Sequence, residues 1–152
     1  YRPVSNIKCI AKVVEKAVAG QVISHVNNNI LGEKFQSAYK THHSTETALL
    51  KVKSDILQSL DQNNAVLLVL LDMSAAFDTV DHQILVDRLE RLFGISGTAK
   101  AWFTSYLDNR RTRVSVRRAQ SVEHVLKFSV PQGSVIGPQC FIMYTHPVGD
   151  II

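Results

Sequence analysis

The sequence predicts an α+β fold, and three patterns carry that prediction. Apolar side chains recur at helical spacing over much of residues 7–60 and again over 81–107, an unbroken apolar run occupies 65–71, and residues 111–130 alternate apolar with polar. Spacing near 3.6 marks a helix with one buried face, a short unbroken run marks a strand covered on both sides, and period two marks strands with one face in water.

The first helix is predicted from Ile7 to about Asn27. Ile10, Val14, Val18, Val22 and Val26 form its apolar stripe and Val13 and Ala17 widen it, while Asn27-Asn28-Asn29 and Gly32 tolerate the left-handed backbone of a helix end. A second helix is predicted from Ser44-Thr45-Glu46 to about Leu60, because a hydroxyl can cap its free N–H groups and Glu46 faces the positive end of its dipole. Leu49, Leu50, Val52, Ile56, Leu57 and Leu60 are expected inside. Ala65 to Leu71, bounded by Asn63-Asn64 and Asp72, is too short for a typical helix and is expected to be a strand buried on both faces. Asp81 is expected to cap a helix through Phe93, with Ile84, Leu85, Leu89 and Leu92 inward and Gly94 ending it; a further helix covers Thr98 to Leu107. Arg111 to Arg117 and Val122 to Val130 form a predicted hairpin joined by Ala119-Gln120-Ser121. Pro131-Gln132-Gly133 breaks the chain before a last apolar segment, Ser134 to about Tyr144.

With 152 residues, 45% apolar and 20% charged, the chain suits one globular domain with a true core rather than disorder. Cys9 and Cys140 have no metal-ligand or disulfide-framework spacing, which fits a reducing compartment. The start at Tyr1 has none of the features of a signal peptide, and the longest apolar run falls far short of the roughly 20 residues that span a bilayer. An intracellular location without a membrane anchor is expected. The net charge of +4 suits a polyanionic partner, since each cation that meets a phosphate releases counterions.

Chemistry concentrates in Leu70-Leu71-Asp72-Met73-Ser74-Ala75-Ala76-Phe77-Asp78. A carboxylate ending a doubly buried strand is rigid and costly to desolvate, so Asp72 either binds a hard divalent cation such as Mg²⁺ or caps the following turn. Asp78 and Asp81 precede a helix and are expected to act as caps and dipole partners. Phe77 is either core or the wall of a pocket.

Asp72-Met73-Ser74-Ala75-Ala76-Phe77-Asp78 resembles the first palm motif of reverse transcriptases, an aspartate ending a strand with an aromatic five residues on. Ser129-Val130-Pro131-Gln132-Gly133-Ser134-Val135-Ile136-Gly137-Pro138 is similar to the family's Pro-Gln-Gly palm motif; read alone, it is equally a plain turn before a helix. Tyr1-Arg2-Pro3-Val4-Ser5, and Phe35-Gln36-Ser37-Ala38-Tyr39-Lys40 with His43-Ser44-Thr45-Glu46, resemble two motifs of the fingers of enzymes from non-LTR retrotransposons, the LINE-like transposable elements. The resemblance covers nearly the whole chain. It implies a reverse-transcriptase-like fingers part over about 1–62 and a palm part over about 63–152, with a mostly antiparallel sheet packed with helices and left truncated.

The same resemblance implies an RNA-directed DNA polymerase that uses an RNA template, a DNA primer and dNTPs, with Mg²⁺ or alternatively Mn²⁺ as cofactor, working in nucleus and cytoplasm. Asp72 would be the catalytic metal ligand bridging two ions: one activates the primer 3′-hydroxyl and the other holds the triphosphate. Met73, Phe77, Gln132, Gly133 and Lys40 would contact substrate. Phe77 would exclude a ribose 2′-hydroxyl by steric collision. Gly133 would allow close backbone approach, and the Gln132 amide offers both donor and acceptor. Position 40 is usually arginine in the family; Lys40 keeps the charge without the bidentate fork, and is otherwise a surface lysine. Arg113 and Arg117 lie in the densest basic cluster, with Arg110, Arg111 and Arg118, and would bind nucleic acid if that face is not merely solvated. Strand alternation is expected to put Arg111, Arg113 and Arg117 on one face.

One departure from the family stands out. Its Tyr/Phe-x-Asp-Asp motif is absent, Asp150 is a lone aspartate, and Thr145-His146-Pro147 leaves the usual pattern, so the chain is expected to stop short of the second metal-binding carboxylate and to be inactive alone. An incomplete palm also predicts marginal stability and self-association. Phosphatases of the haloacid dehalogenase type need a second aspartate where Ser74 stands, and no P-loop occurs. The remaining alternative is a decayed or domesticated RNA-binding module without catalysis.

Overall fold

A computed structural model describes residues 5, 7–117, 119–149 and 151. Tyr1 to Val4 of the opening motif, Arg118 of the basic cluster and Asp150 lie outside the described residues. The elements are α1 (Cys9–Asn28), α2 (Thr45–Asp61), α3 (His82–Arg91), α4 (Gly97–Leu107), β1 (Arg111–Thr112), β2 (Ser115–Val116), β3 (Ala119–Gln120), β4 (His124–Val125), α5 (Gly137–Thr145) and a 3-10 turn at His146–Val148. Helices with small antiparallel ribbons make the chain α+β. It forms two compact units, one from residues up to Gly32 together with those from Ala75 onward, the other Glu33–Ser74.

In the first unit, α3 packs on both α4 and α5. Leu85 and Leu89 of α3, Phe103 and Leu107 of α4, Cys140 and Met143 of α5, and Val80, Phe93, Val130 and Ile136 from the connections are almost wholly buried together. Asp81 caps α3 as expected, its Oδ1 accepting the N–H groups of Gln83 at 2.8 Å and Ile84 at 3.0 Å. Ile84 and Leu92 depart from expectation: they stay exposed while Val86 is buried, because α3 meets neighbours on the Leu85–Leu89 face. A similar rotation occurs in α1. Ile10, Val13 and Val14 are exposed, and the buried line is Glu15, Ala19 and Val22, with Val18 and Val26 packed partly against the core.

The hairpin pairs Arg111 with Val125 and Thr112 with His124, then Ser115 with Gln120 and Val116 with Ala119. Two residues separate the ladders on the outgoing strand and three on the return, so the return strand carries a bulge near Ser121, whose N–H donates to the Val114 carbonyl at 2.9 Å. Ala119 and Gln120, expected in the connecting loop, are strand residues. Arg117 occupies the turn with φ of 56°, so the alternation stops at Val116 and Arg117 does not continue the face of Arg111 and Arg113. Those two arginines share Glu123, Arg111 Nη1 at 3.3 Å from its Oε2 and Arg113 Nη2 on its Oε1.

The Arg113 hydrogen bond, followed by that of Arg111, holds the Glu123 carboxyl below the ordinary glutamate value. A depressed carboxyl favours the folded hairpin above the ordinary pKa, and that preference is lost as pH falls through the lower folded value. The side-chain carboxyl resonance of Glu123 is accordingly expected to titrate below that of a free glutamate, and Arg113→Ala to move the midpoint upward; an unmoved midpoint in NMR titration would refute the pairing.

In the second unit, Ser44 caps α2 through a reciprocal box: the Thr47 N–H donates to Ser44 Oγ at 3.2 Å, and the Ser44 N–H to Thr47 Oγ1 at 2.9 Å. The helix lies where it was expected, but its apolar residues do not. None of α2 is buried, and Leu49, Leu50, Val52, Leu57 and Leu60 are all exposed. The run Ala65 to Leu71 is also not a strand; Leu67 is 87% and Leu70 83% exposed. A doubly covered strand needs neighbours that pair its N–H and C=O groups and layers that cover both faces, and among the described residues none hydrogen-bonds to this run. Among the described residues the expected mostly antiparallel packed sheet is represented by two two-stranded ribbons and an isolated bridge between Asp81 and Phe128.

Candidate functional site

The segment Phe77 to Asp81 and the segment Lys127 to Gln132 meet in the first unit. Residues following Phe77 run antiparallel beside Lys127 to Val130: the Val130 N–H donates to the Phe77 carbonyl at 2.8 Å, the Ser129 N–H to the Val80 carbonyl at 2.8 Å, and Asp81 bridges Phe128. His82 Nε2 lies 2.7 Å from the Ser129 carbonyl, which can only accept, so Nε2 carries the proton. Segments more than forty residues apart in sequence are thus held in one register.

Three positions around this contact hold positive φ: Ala75 at 53°, Ser129 at 95° and Gly133 at 94°. Only glycine adopts that region freely, and each other residue costs about 1 kcal/mol or more there. At Ala75 the turn is closed by the Asp78 N–H donating to its carbonyl at 2.8 Å. Such strain persists where surrounding bonds impose it, and it clusters at sites that bind or react.

Gln132 projects its Nε2 toward both oxygens of Asp78, at 3.2 and 3.3 Å. Asp78 is expected to support the following helix; the cap is Asp81, and Asp78 instead receives Gln132. Phe77 is half-buried, its ring 5.2 Å from that of Phe141 and tilted by 33°. Beside Asp78 and Gln132 lies a cavity of about 870 Å³, lined also by Arg110, Arg111, Arg113 and Lys127. Four cations face one carboxylate across it, so it favours anionic groups even after Glu123 neutralises part of the arginine charge.

In the second unit, Lys40, Asp72 and Met73 are each exposed, and the Lys40 carbonyl accepts the His43 N–H at 3.2 Å. Asp72 therefore follows an irregular apolar segment and not a buried strand. Its carboxylate fits a single ligand of a hard divalent ion, which commonly takes one or two protein carboxylates with substrate phosphates. Among the described residues no group of three His, Cys, Asp or Glu side chains converges on a metal position.

Glu15, Ser134 and Tyr106 are the functional candidates that sequence reasoning missed. Glu15 Oε2 accepts the Ser134 hydroxyl at 2.8 Å and the Val135 N–H at 2.6 Å, and the Tyr106 hydroxyl lies 2.7 Å from Ser134 Oγ. Burial lifts the Tyr106 hydroxyl well above the ordinary tyrosine value and the Cys140 thiol up to about 12, with Glu15 adding to both, so both stay protonated at neutral pH. The available signal was the placement of Glu15 on one helical line with Ala19 and Val22, a charge among small apolar residues.

A family model described as reverse transcriptase (RNA-dependent DNA polymerase) matches residues 1–152. The chain is 32% identical over 147 residues to the probable RNA-directed DNA polymerase from transposon BS of Drosophila melanogaster, covering 95% of this chain and 16% of that protein. It is 32% identical over 151 residues to the probable RNA-directed DNA polymerase from transposon X-element of the same species, covering 96% and 16%. Against the RNA-directed DNA polymerase from mobile element jockey, also of Drosophila melanogaster, identity is 28% over 157 residues, covering 99% and 17%. The chain thus spans 16–17% of the length of these curated relatives. No solved structure matches. Among the described residues no helix is long and apolar enough to cross a membrane.

Proposed function

Since the chain belongs to the reverse transcriptase (RNA-dependent DNA polymerase) family, we propose that it serves as the fingers and first palm portion of an RNA-directed DNA polymerase of a non-LTR retrotransposon. The polymerase joins dNTPs to a DNA primer 3′-hydroxyl along an RNA template and works in nucleus and cytoplasm. The observation that carries this reading is the hydrogen-bonded union of the Phe77-Asp78 and Gln132-Gly133 segments beside a cationic cavity. The Gln132 amide and the arginines line that cavity, and Phe77 and the positive-φ Gly133 adjoin its lining residues Asp78 and Gln132 in sequence, an arrangement that suits a nucleotide whose sugar, base and phosphates need separate partners.

In this reading residues 1–62 form the fingers and 63–152 the palm. Asp72 is the catalytic carboxylate and a ligand for Mg²⁺, or Mn²⁺ in its place. When bound, the ions supply the positive charge that activates the primer hydroxyl and offsets charge on the departing pyrophosphate. Phe77 bounds the sugar pocket, Gln132 and Gly133 orient the nucleotide, Met73 lies against the substrate and Lys40 meets the triphosphate. Arg113 and Arg117 track the nucleic-acid backbone, one from the stretch between β1 and β2 and one from the turn. A single carboxylate does not complete the metal site, so the isolated chain is expected to be inactive.

The sugar pocket gives the direct test. In the full-length polypeptide, Phe77→Val is expected to raise ribonucleotide incorporation relative to deoxyribonucleotide by about tenfold or more, as removal of a steric barrier does. Unchanged sugar discrimination in single-nucleotide primer extension would refute the role of Phe77. Tight RNA binding with no extension by the full-length wild type would identify a non-catalytic RNA-binding module instead.

A further inference from the structure

Glu15 is only 3% exposed, although nothing in the polymerase reading uses it. A carboxylate withdrawn from water is costly unless hydrogen bonds replace its hydration. Among the described residues those bonds come from the Ser134 hydroxyl and the Val135 N–H, the residues directly after Gln132-Gly133.

The direction of the network follows from chemistry. An ionised carboxylate only accepts, so the Ser134 hydroxyl donates to Glu15. Ser134 Oγ then accepts the Gly137 N–H at 2.9 Å at the start of α5, and the proton between Ser134 and Tyr106 must come from Tyr106. Tyr106 in turn is covered by the Arg110 guanidinium, 5.4 Å from its ring centre, and Arg110 lines the cationic cavity. Packing closes the other side, since a Cβ on Gly137 would sit 3.3 Å from Ser134 Cβ and from Val130 Cγ1.

The Gln132-Gly133 turn is consequently held at both ends. Before it, the Val130 N–H is fixed on the Phe77 carbonyl at 2.8 Å; after it, Ser134 and Val135 are fixed on Glu15. Between the anchors, Gly133 takes its left-handed conformation and the Gln132 amide reaches Asp78. We propose that Glu15 is a positioning residue of α1 that sets the geometry of the nucleotide-binding turn through Ser134 and Val135, and so governs the affinity of the site for the incoming dNTP. This rests on the reading of Gln132 and Gly133 as substrate contacts.

The test uses the full-length polypeptide, with KM for dNTP measured beside kcat per titrated active site. Glu15→Leu removes the acceptor and is expected to raise KM for dNTP by roughly ten- to a hundredfold, while kcat per active site changes by no more than about threefold. Glu15→Gln keeps a carbonyl oxygen for the same donors and is expected to restore KM to within about threefold of wild type. Ser134→Ala breaks the same link while leaving the Val135 N–H on Glu15, and a rise in KM like that of Glu15→Leu is expected; this variant decides the matter if Glu15→Leu does not fold. An unchanged KM, with only the fraction of active molecules reduced, would show Glu15 to be a fold staple and overturn the proposal while Asp72→Asn remains inactive. Extension that survives Asp72→Asn would instead sink the reading of the site and this proposal with it.

Discussion

Asp72→Asn in the full-length polypeptide is expected to lower primer extension on an RNA template by at least about a thousandfold, the scale seen when a central charge of an active site is removed. The change replaces one oxygen by an amide and removes the negative charge that a hard divalent ion requires. It should leave the fold intact, because Asp72 is exposed and a substitution at such a position ordinarily shifts stability by within about 0.5 kcal/mol. An unaltered melting curve together with lost extension would separate chemistry from folding. Extension within a few-fold of wild type would remove Asp72 from the catalytic role, and the turn-capping reading of that aspartate would stand. Asp78 provides the contrast: its carboxylate already receives Gln132, so Asp78→Asn acts on the turn geometry rather than on metal charge.

Phe103→Ala is expected to be the most damaging change to stability in the isolated chain. Phe103 is wholly buried on α4, its ring meeting that of Trp102 edge-on at 5.2 Å. Truncating such a phenylalanine costs about 3–5 kcal/mol from lost transfer energy and the cavity left behind. Whole domains are stable by only about 5–15 kcal/mol, so urea denaturation followed by circular dichroism should show the variant largely unfolded or its midpoint strongly lowered. Leu70, at 83% exposure, is the control. Leu70→Lys is expected to leave the midpoint nearly unchanged and to reduce self-association, because contiguous exposed apolar residues recruit further copies. A Phe103→Ala variant as stable as wild type would mean that the core is not centred on α3, α4 and α5.

Several local features were legible in the sequence because their causes are local. The Ser44 box and the Asp81 cap depend on side chains reaching N–H groups two or three residues away, so residue type and spacing suffice to predict them. The positive φ of Gly94 at the end of α3 belongs to the same class. Chain order also suffices for the motif resemblance, which led to the family. The face of α2 and the N-terminal half of the α1 face were not legible, whereas Val22 is buried and Val18 and Val26 pack on the core as their spacing predicts. In α1 the valines at 13 and 14 and the line through Glu15 and Ala19 are both helical stripes, and periodicity alone does not choose between them.

By itself the sequence determined the first four helical segments, the Ser44 and Asp81 caps, the hairpin region and the family, since each of these is written in neighbouring residues or in motif order. Tertiary structure alone decided that Glu15 is buried, that Gln132 meets Asp78, and that the run at 65–71 is an uncovered segment in place of a strand. The reason is physical: burial and pairing belong to two surfaces at once, and an apolar stripe or a donor carries no record of which distant partner satisfies it.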